Sequence, residues 1–423
     1  MGQALQPVAP ACGRFEQAEK RSPSAVLLYF SVHILLAALF FFAILTLWVP
    51  ALWPVTVFEI GIFALTVVAV LRARRNPPPW AWPLVPLSFA VIWGLLQLLT
   101  GRTVYAFDTT NAIIQWTAFL AVFFLGLSLF RSPAVSHWFR SAMLWFAFLV
   151  SVLATLQTFT SGGRVFWIFP TPYTDFLMGP ILSRNHYAAF IEAVLPIALY
   201  QALRRERAAL LYSSMAAAMY ASVIASGSRA GSVLATAEIV AVPLLLLWRG
   251  RADRAAVGSS FLRIAVLLAV FTAIVGPETV WTRFWTPDPY AGRRELAVSS
   301  LHMVAAHPWF GTGLGTWPTA YPRYAIVDFG AFANQAHSDW LQWAAEGGIP
   351  FALMLAALFF WSVRPAVRSV WGLGVVSVFL HATVDYPFSR PALGAWPILL
   401  LSLLAVNERP CTNGPSERFC KNK

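Results

Sequence analysis

With 423 residues, 58% of them hydrophobic and only 11% charged, the chain carries less than half the charge of an ordinary soluble domain, where about 25% of residues are charged. No water-soluble core hides that much apolar surface, which excludes the soluble globular classes and leaves an all-α polytopic membrane protein. The formal net charge of +12 does not point to nucleic acid. No nucleic-acid-binding motif accompanies it, and Lys and Arg in short cytoplasmic loops orient membrane helices.

Residues 1–23 read as a polar cytoplasmic tail. The apolar run that follows is long and lacks a small-residue cleavage site, so it reads as a first membrane helix and not as a signal peptide. Runs near the roughly 20 residues a spanning helix needs occur at about 25–49, 54–71, 83–100, 111–130, 139–160, 185–203, 208–226, 230–248, 260–276, 341–363, 369–384 and 391–407. The expectation is about 12 transmembrane helices with one long periplasmic loop, 277–340, containing short helices. Residues 24–407 form the membrane domain and 408–423 a second cytoplasmic tail. Pro50 and Pro54 bracket a tight turn between the first two runs. The three cysteines, Cys12, Cys411 and Cys420, fall in the tails. In a reducing compartment they form no disulfide.

With both termini inside, most of the 30 Lys and Arg residues fall on the cytoplasmic side, as the positive-inside rule asks. The basic residues left outside are Arg102, Arg164, Arg184, Arg229, Arg283, Arg293, Arg294, Arg323 and Arg390. Topology does not demand them there. Arg229 sits in Ser226-Gly227-Ser228-Arg229-Ala230-Gly231, between two apolar runs with almost no loop. Its small neighbours permit close helix approach and leave room for a ligand. The bland alternative is an interfacial arginine snorkelling to lipid phosphate.

In the long loop, Gly292 through Ala306 reads as a helix stopped by His307-Pro308. The glycines Gly311, Gly313 and Gly315 follow. No strand precedes them, so a dinucleotide fingerprint is rejected; a backbone approaching substrate, or simple turns, remain.

His337 stands just before a helix that begins near Asp339–Leu341, in Ala336-His337-Ser338-Asp339. The positive end of a helix favours a neutral imidazole, suited to general-base work. Asp339 opposes that trend if close, or orients the ring; a simple capping role is the alternative. Glu346 falls inside the apolar run, able to pair with an arginine, contact an acceptor or satisfy a neighbouring helix. Glu192 and Glu238 are further intramembrane acids. His186, with Arg184 beside it, lies at another outer helix mouth. Outer-face arginines imply an anionic ligand, since guanidinium forks match phosphate. No Asp-x-Asp pair or His/Cys cluster forms a metal site, and no cofactor is implied.

Four stretches resemble the bacterial O-antigen ligase/polymerase superfamily of membrane glycosyltransferases. Ser226 to Gly231 is similar to the family's Ser-Arg-Gly/Ala segment. Gly292-Arg293 with His307-Pro308 and the glycines to Gly315 is similar to its Gly-Arg … His-Pro-x-x-Gly-x-Gly-x-Gly loop. His337 to Gly348 resembles its His-Asn-x-x-Leu-x-x-x-x-Glu-x-Gly signature, and Asn185-His186 more weakly an Asn-x-x-Ala segment. The chain departs from the family at Ala297, where Trp is common, and at Ser338, where Asn is common; Arg294 adjoins Arg293. The resemblance implies an inverting, metal-independent transfer of glycan from an undecaprenyl-pyrophosphate carrier at the periplasmic face of the inner membrane. It casts His337 as the base and Arg229 and Arg293 as pyrophosphate ligands. Arg294, Asp339, Glu346, Arg184 and His186 are secondary candidates. Lipid A core is the first acceptor to consider; a growing glycan chain (polymerase) and a protein hydroxyl (oligosaccharyltransferase) are the others. A lipid-linked-sugar transporter is the alternative from a different class.

Overall fold

The computed structural model describes residues 23–74, 77–171, 177–275, 278, 292–328, 330 and 332–407. Both tails with their cysteines, and most of 276–291 with Arg283, lie outside the described residues. The helices are α1 (Pro23–Leu45), α2 (Trp53–Ala73), α3 (Leu84–Leu99), α4 (Ala106–Leu129), α5 (Pro133–Thr160), α6 (Arg184–Arg204) and α7 (Ala209–Ser226). They continue with α8 (Arg229–Trp248), α9 (Arg254–Val275), α10 (Arg293–Ala306), α11 (Trp317–Ala320), α12 (Asp339–Ser369), α13 (Leu373–His381) and α14 (Pro391–Asn407). A two-residue hairpin, β1 (Arg164–Val165) with β2 (Phe169–Pro170), turns through Phe166 and Trp167, both at positive φ. The chain is thus mostly helical. Among the described residues, eight helices are long and apolar enough to cross a membrane and three more are apolar but shorter.

Helix α6 is the pillar. Nearly all of its length is buried, and α5, α7, α8 and α13 pack around it. The turn between α7 and α8 is as tight as the sequence suggests. Gly227 takes φ 69 at the end of α7, and the Ser228 hydroxyl then caps α8 by accepting from the Gly231 amide at 3.2 Å. The same hydroxyl donates to Asn185 Oδ1 at 2.8 Å, which pins the start of α8 to the start of α6. A Cβ on Gly231 would sit 2.3 Å from that of Ala188, so the small residue is what brings the two helix starts together.

Two expectations change. The apolar run at 369–384 is helical only over nine residues, Leu373–His381. It packs backbone to backbone on α6, since a Cβ on Gly374 would meet the Glu192 carbonyl oxygen at 2.4 Å. Its polar end, His381 to Asp385, then leads the chain back beside the start of α12, where the Asp339 amide donates to the Asp385 carbonyl at 3.0 Å.

The second change is in α12, expected as one continuous helix. It is broken at Gly348, at φ 77 and ψ 178. Backbone freed inside a membrane protein has no water to turn to, so each carbonyl needs a protein donor. The Thr312 amide serves Ala345 and the Gly313 amide serves Glu346, each at 3.0 Å. The Gln97 side chain also serves Glu346, and the Trp93 indole serves Gly347, each at 2.9 Å. The Ile349 amide in turn donates to the Pro308 carbonyl at 2.8 Å. The glycine-rich loop is therefore a clasp on a broken helix. A Cβ on Gly311 would lie 2.2 Å from the Glu346 carbonyl oxygen.

A small separate core holds the loop segment together: Leu296 and Met303 of α10 pack with Trp317, Tyr321, Ala336 and Ala345. The buried Trp317 indole donates to Ser300 Oγ at 3.0 Å. At the other ends of the helices, basic side chains bind carbonyls: Arg249 reaches Arg368 at 2.7 Å and Arg204 reaches Arg251 at 3.1 Å.

Gly348→Ala forces a side chain into a positive-φ position against the Trp309 carbonyl, 2.5 Å away. The expected cost is about 2–5 kcal/mol, read as a lowered midpoint of thermal unfolding in detergent. An unchanged midpoint would mean that the break is not held by close backbone approach.

Candidate functional site

Arg184, Arg229 and Arg293 are each the first residue of a helix, α6, α8 and α10. A helix N-terminus carries partial positive charge, so a cation there works against the macrodipole. Three such cations also act on one another: both Arg229 and Arg293 fall within electrostatic reach of Arg184. Arg293 is anchored by a hydrogen bond from its Nη1 to the Val384 carbonyl at 3.1 Å. Arg294, beside it, is exposed.

His337 lies two residues before α12, with φ 55 in the left-handed region where a non-glycine residue is strained. Ser338 follows as the N-cap, accepting from the Leu341 amide at 3.3 Å. Upstream, the Ala336 amide donates to Gln342 Oε1 at 3.3 Å, and Gln342 donates to Glu346 at 3.0 Å. The imidazole is fixed edge-to-face on Tyr386, ring centres 5.1 Å apart. Its Nδ1 is buried and has no hydrogen-bond partner among the described residues. Burial, and after it the positive charge of Arg293, pushes the His337 ring below the ordinary histidine range; Asp385 opposes both. At neutral pH the ring is uncharged, with an unused nitrogen.

Tyr386 also packs edge-to-face on His186, centres 4.6 Å apart, and the Arg390 guanidinium sits 5.7 Å from its ring centre. His186 Nε2 comes within 3.4 Å of Asp385 Oδ2, but the geometry is not that of a hydrogen bond and both atoms lack a partner among the described residues. Deeper in the bundle, His381 Nδ1 meets the Glu192 carboxylate at 2.9 and 3.0 Å.

Arg184, Arg229, Arg293, His337 and His186 thus come together. Two candidates serve otherwise. Asp339, fully buried, accepts from the Phe388 amide at 2.8 Å and the Ser389 hydroxyl at 2.7 Å. It fixes the loop that carries Asp385 and Tyr386, and Asp385 is the acid acting on His337. Glu346 accepts from the amides of Gly315 at 2.9 Å and Trp317 at 3.1 Å, docking the glycine loop. Asp385 and Tyr386 escape the sequence reading because they lie in a short segment after a run that looks like one more helix, and Arg390 is noted there only as one of the outer-face basic residues. The only signal was a cluster of polar residues with Pro387 inside apolar surroundings. No three His, Cys, Asp or Glu side chains among the described residues are placed to hold a metal ion.

The fold and this cluster define a multi-pass membrane protein with a cationic site at one end of its helix bundle. Residues 214–356, from α7 into α12, match the O-antigen ligase family, so about a third of the chain is similar to that family. No curated protein matches the chain.

If Asp339 holds the loop, Asp339→Ala leaves the buried Phe388 amide without its acceptor, at a cost of about 1–3 kcal/mol. Hydrogen exchange across residues 385–390 should accelerate well beyond that of α6. Equal protection in variant and parent would remove Asp339 from that role.

Proposed function

We propose that the protein transfers a glycan from an undecaprenyl-pyrophosphate carrier to a hydroxyl acceptor. The reaction runs at the periplasmic face of the bacterial inner membrane, with both termini in the cytoplasm. The match of residues 214–356 to the O-antigen ligase family supports the activity class. The observation that carries the rest is the gathering of Arg184, Arg229 and Arg293 on three helix starts, within reach of a neutral His337. The arginines bound to carbonyls at the opposite helix ends support a cytoplasmic location for that end under the positive-inside rule. About twelve crossings follow if 369–384 counts as one.

In this reading Arg229 and Arg293, with Arg184 near them, hold the pyrophosphate through guanidinium forks. The neutral imidazole of His337 takes the proton of the acceptor hydroxyl as its oxygen attacks the anomeric carbon. The bond from that carbon to the pyrophosphate oxygen breaks, and its electron pair leaves on the pyrophosphate, where the arginines stabilise the growing charge. One displacement from the far side inverts the anomeric centre. Guanidinium charge supplies what a divalent cation otherwise would, so the reaction is metal-independent. Lipid A core is the first acceptor; a polymerase or a protein-glycosylating enzyme would use the same donor chemistry.

His337→Ala should lower transfer by about a hundredfold or more in protein that still inserts in the membrane; undiminished transfer would reject the base. Arg229→Ala and Arg293→Ala should each weaken binding of a polyprenyl pyrophosphate about tenfold or more. Unaltered affinity in both would remove the anion clamp. The acceptor is read from the surface glycans of a deletion strain: unligated polymer marks a ligase, single repeat units a polymerase, bare protein an oligosaccharyltransferase.

The pH dependence carries a sign. A base with a lowered pKa stays unprotonated further into acid, so the acid limb of the rate should lie below 6.5. Arg293→Gln removes a charge that depresses the pKa and moves the limb up; Asp385→Asn removes one that raises it and moves the limb down. Shifts in the opposite senses would separate the limb from His337.

A further inference from the structure

A cavity of about 370 Å³ lies between the starts of α2, α4, α12 and α14, and its wall includes Gln335, two residues before His337. Its chemistry is the reverse of the arginine cluster. Glu59 and Asp108 supply carboxylates, Asn111 and Gln335 amides, and Trp116 and Trp343 flat indole faces. Arg390 is the one cation among its lining residues.

Two polar groups in its wall are not used up by the fold, whereas Asp108 already accepts from the Thr319 hydroxyl at 2.9 Å. Glu59 lies in α2, among the most apolar helices of the chain, where an acid is costly and normally functional. It makes no hydrogen bond or ion pair among the described residues. The Oε1 of Gln335 is buried without a partner among them. These are hydrogen-bond acceptors waiting for donors, beside apolar rings. The acids are not grouped to hold a metal ion among the described residues.

We propose that this cavity is the acceptor site and that it takes an uncharged, hydroxyl-rich saccharide unit. Carboxylates and amides accept from sugar hydroxyls, and the indoles cover the C–H faces of the rings. Its volume lies at the lower end of small-ligand sites, about 300–1,000 Å³, enough for a terminal sugar and not for a folded polypeptide. Gln335 is two residues from His337, and Arg390 rests on the Tyr386 ring against which His337 packs. A sugar held here presents its hydroxyl to the base, while the pyrophosphate is drawn to the arginines. The proposal rests on the glycan-transfer reading and narrows its acceptor to a saccharide, against a protein hydroxyl.

The test is calorimetric binding to the purified full-length protein in detergent, with three probes: maltotetraose, tetra-N-acetylchitotetraose and inorganic pyrophosphate. At least one saccharide should bind without competing with pyrophosphate. The double variant Glu59→Gln, Asp108→Asn should weaken that binding about tenfold and leave pyrophosphate affinity unchanged, which also reports an intact fold. Binding of neither saccharide, or saccharide binding indifferent to the double variant, would overturn the proposal. Saccharide binding that depends on Glu59 and Asp108, in a protein that ignores pyrophosphate, would uphold the cavity and sink the donor reading instead.

Discussion

A peptide group taken out of its helix inside a membrane protein must find another partner, and that demand shapes the site end of this molecule. The break at Gly348 turns the carbonyls of Ala345, Glu346 and Gly347 away from α12. The loop from Pro308 to Gly313, with Gln97 and Trp93 of α3, supplies the missing donors. Glu346 adds its carboxylate, capturing the amides of Gly315 and Trp317. Through Gln342 the same carboxylate reaches the Ala336 amide. A chain of hydrogen bonds therefore runs from the break to the residue before His337. Through the Trp317–Ser300 contact it also runs to α10, which begins at Arg293.

Electrostatics then sets what the site accepts. Three helices start with arginine against their own dipoles, an arrangement that an anion at the same place relieves. Burial, and after it the charge of Arg293, pushes the His337 ring toward its neutral form, which on the proposed reading is the form that accepts a proton. Tyr386 holds both His337 and His186 by ring contacts. The ring position is thus set by packing.

Much of this was legible in the residues. Arg229, Arg293 and His337 stood out because topology does not ask for charge on that face, and the bounds of α10 followed from Gly292 and His307-Pro308. The break in α12 was not legible: Gly347-Gly348-Ile349-Pro350 in an apolar run reads as a tolerated kink, and only the third dimension brings a donor to each carbonyl. Asp339 was weighed as a partner of His337 because spacing makes it near. Two residues on, however, its side chain turns toward Phe388 and Ser389, and the acid that acts on His337 comes from 48 positions further along. Glu59 passed unremarked in a run that needed no further explanation as a membrane helix.

The division between the two halves of the site follows the chain. Arg229, Arg293, His337 and the glycine clasp all fall within 214–356, the segment that carries the family resemblance. Glu59, Asp108, Asn111, Trp116 and Arg390 of the cavity fall outside, while Gln335 and Trp343 in its wall come from that stretch. On the proposed reading, donor activation needs one fixed chemistry, a cationic clamp and a neutral base, and that stretch supplies most of it, with Arg184 added from α6. An acceptor site has to fit whichever sugar is to be extended, so it suits the parts of the bundle that only need to pack against that stretch. On the proposed reading, α2, α4 and α14 are where one member of such a family can change its acceptor while leaving the pyrophosphate chemistry untouched.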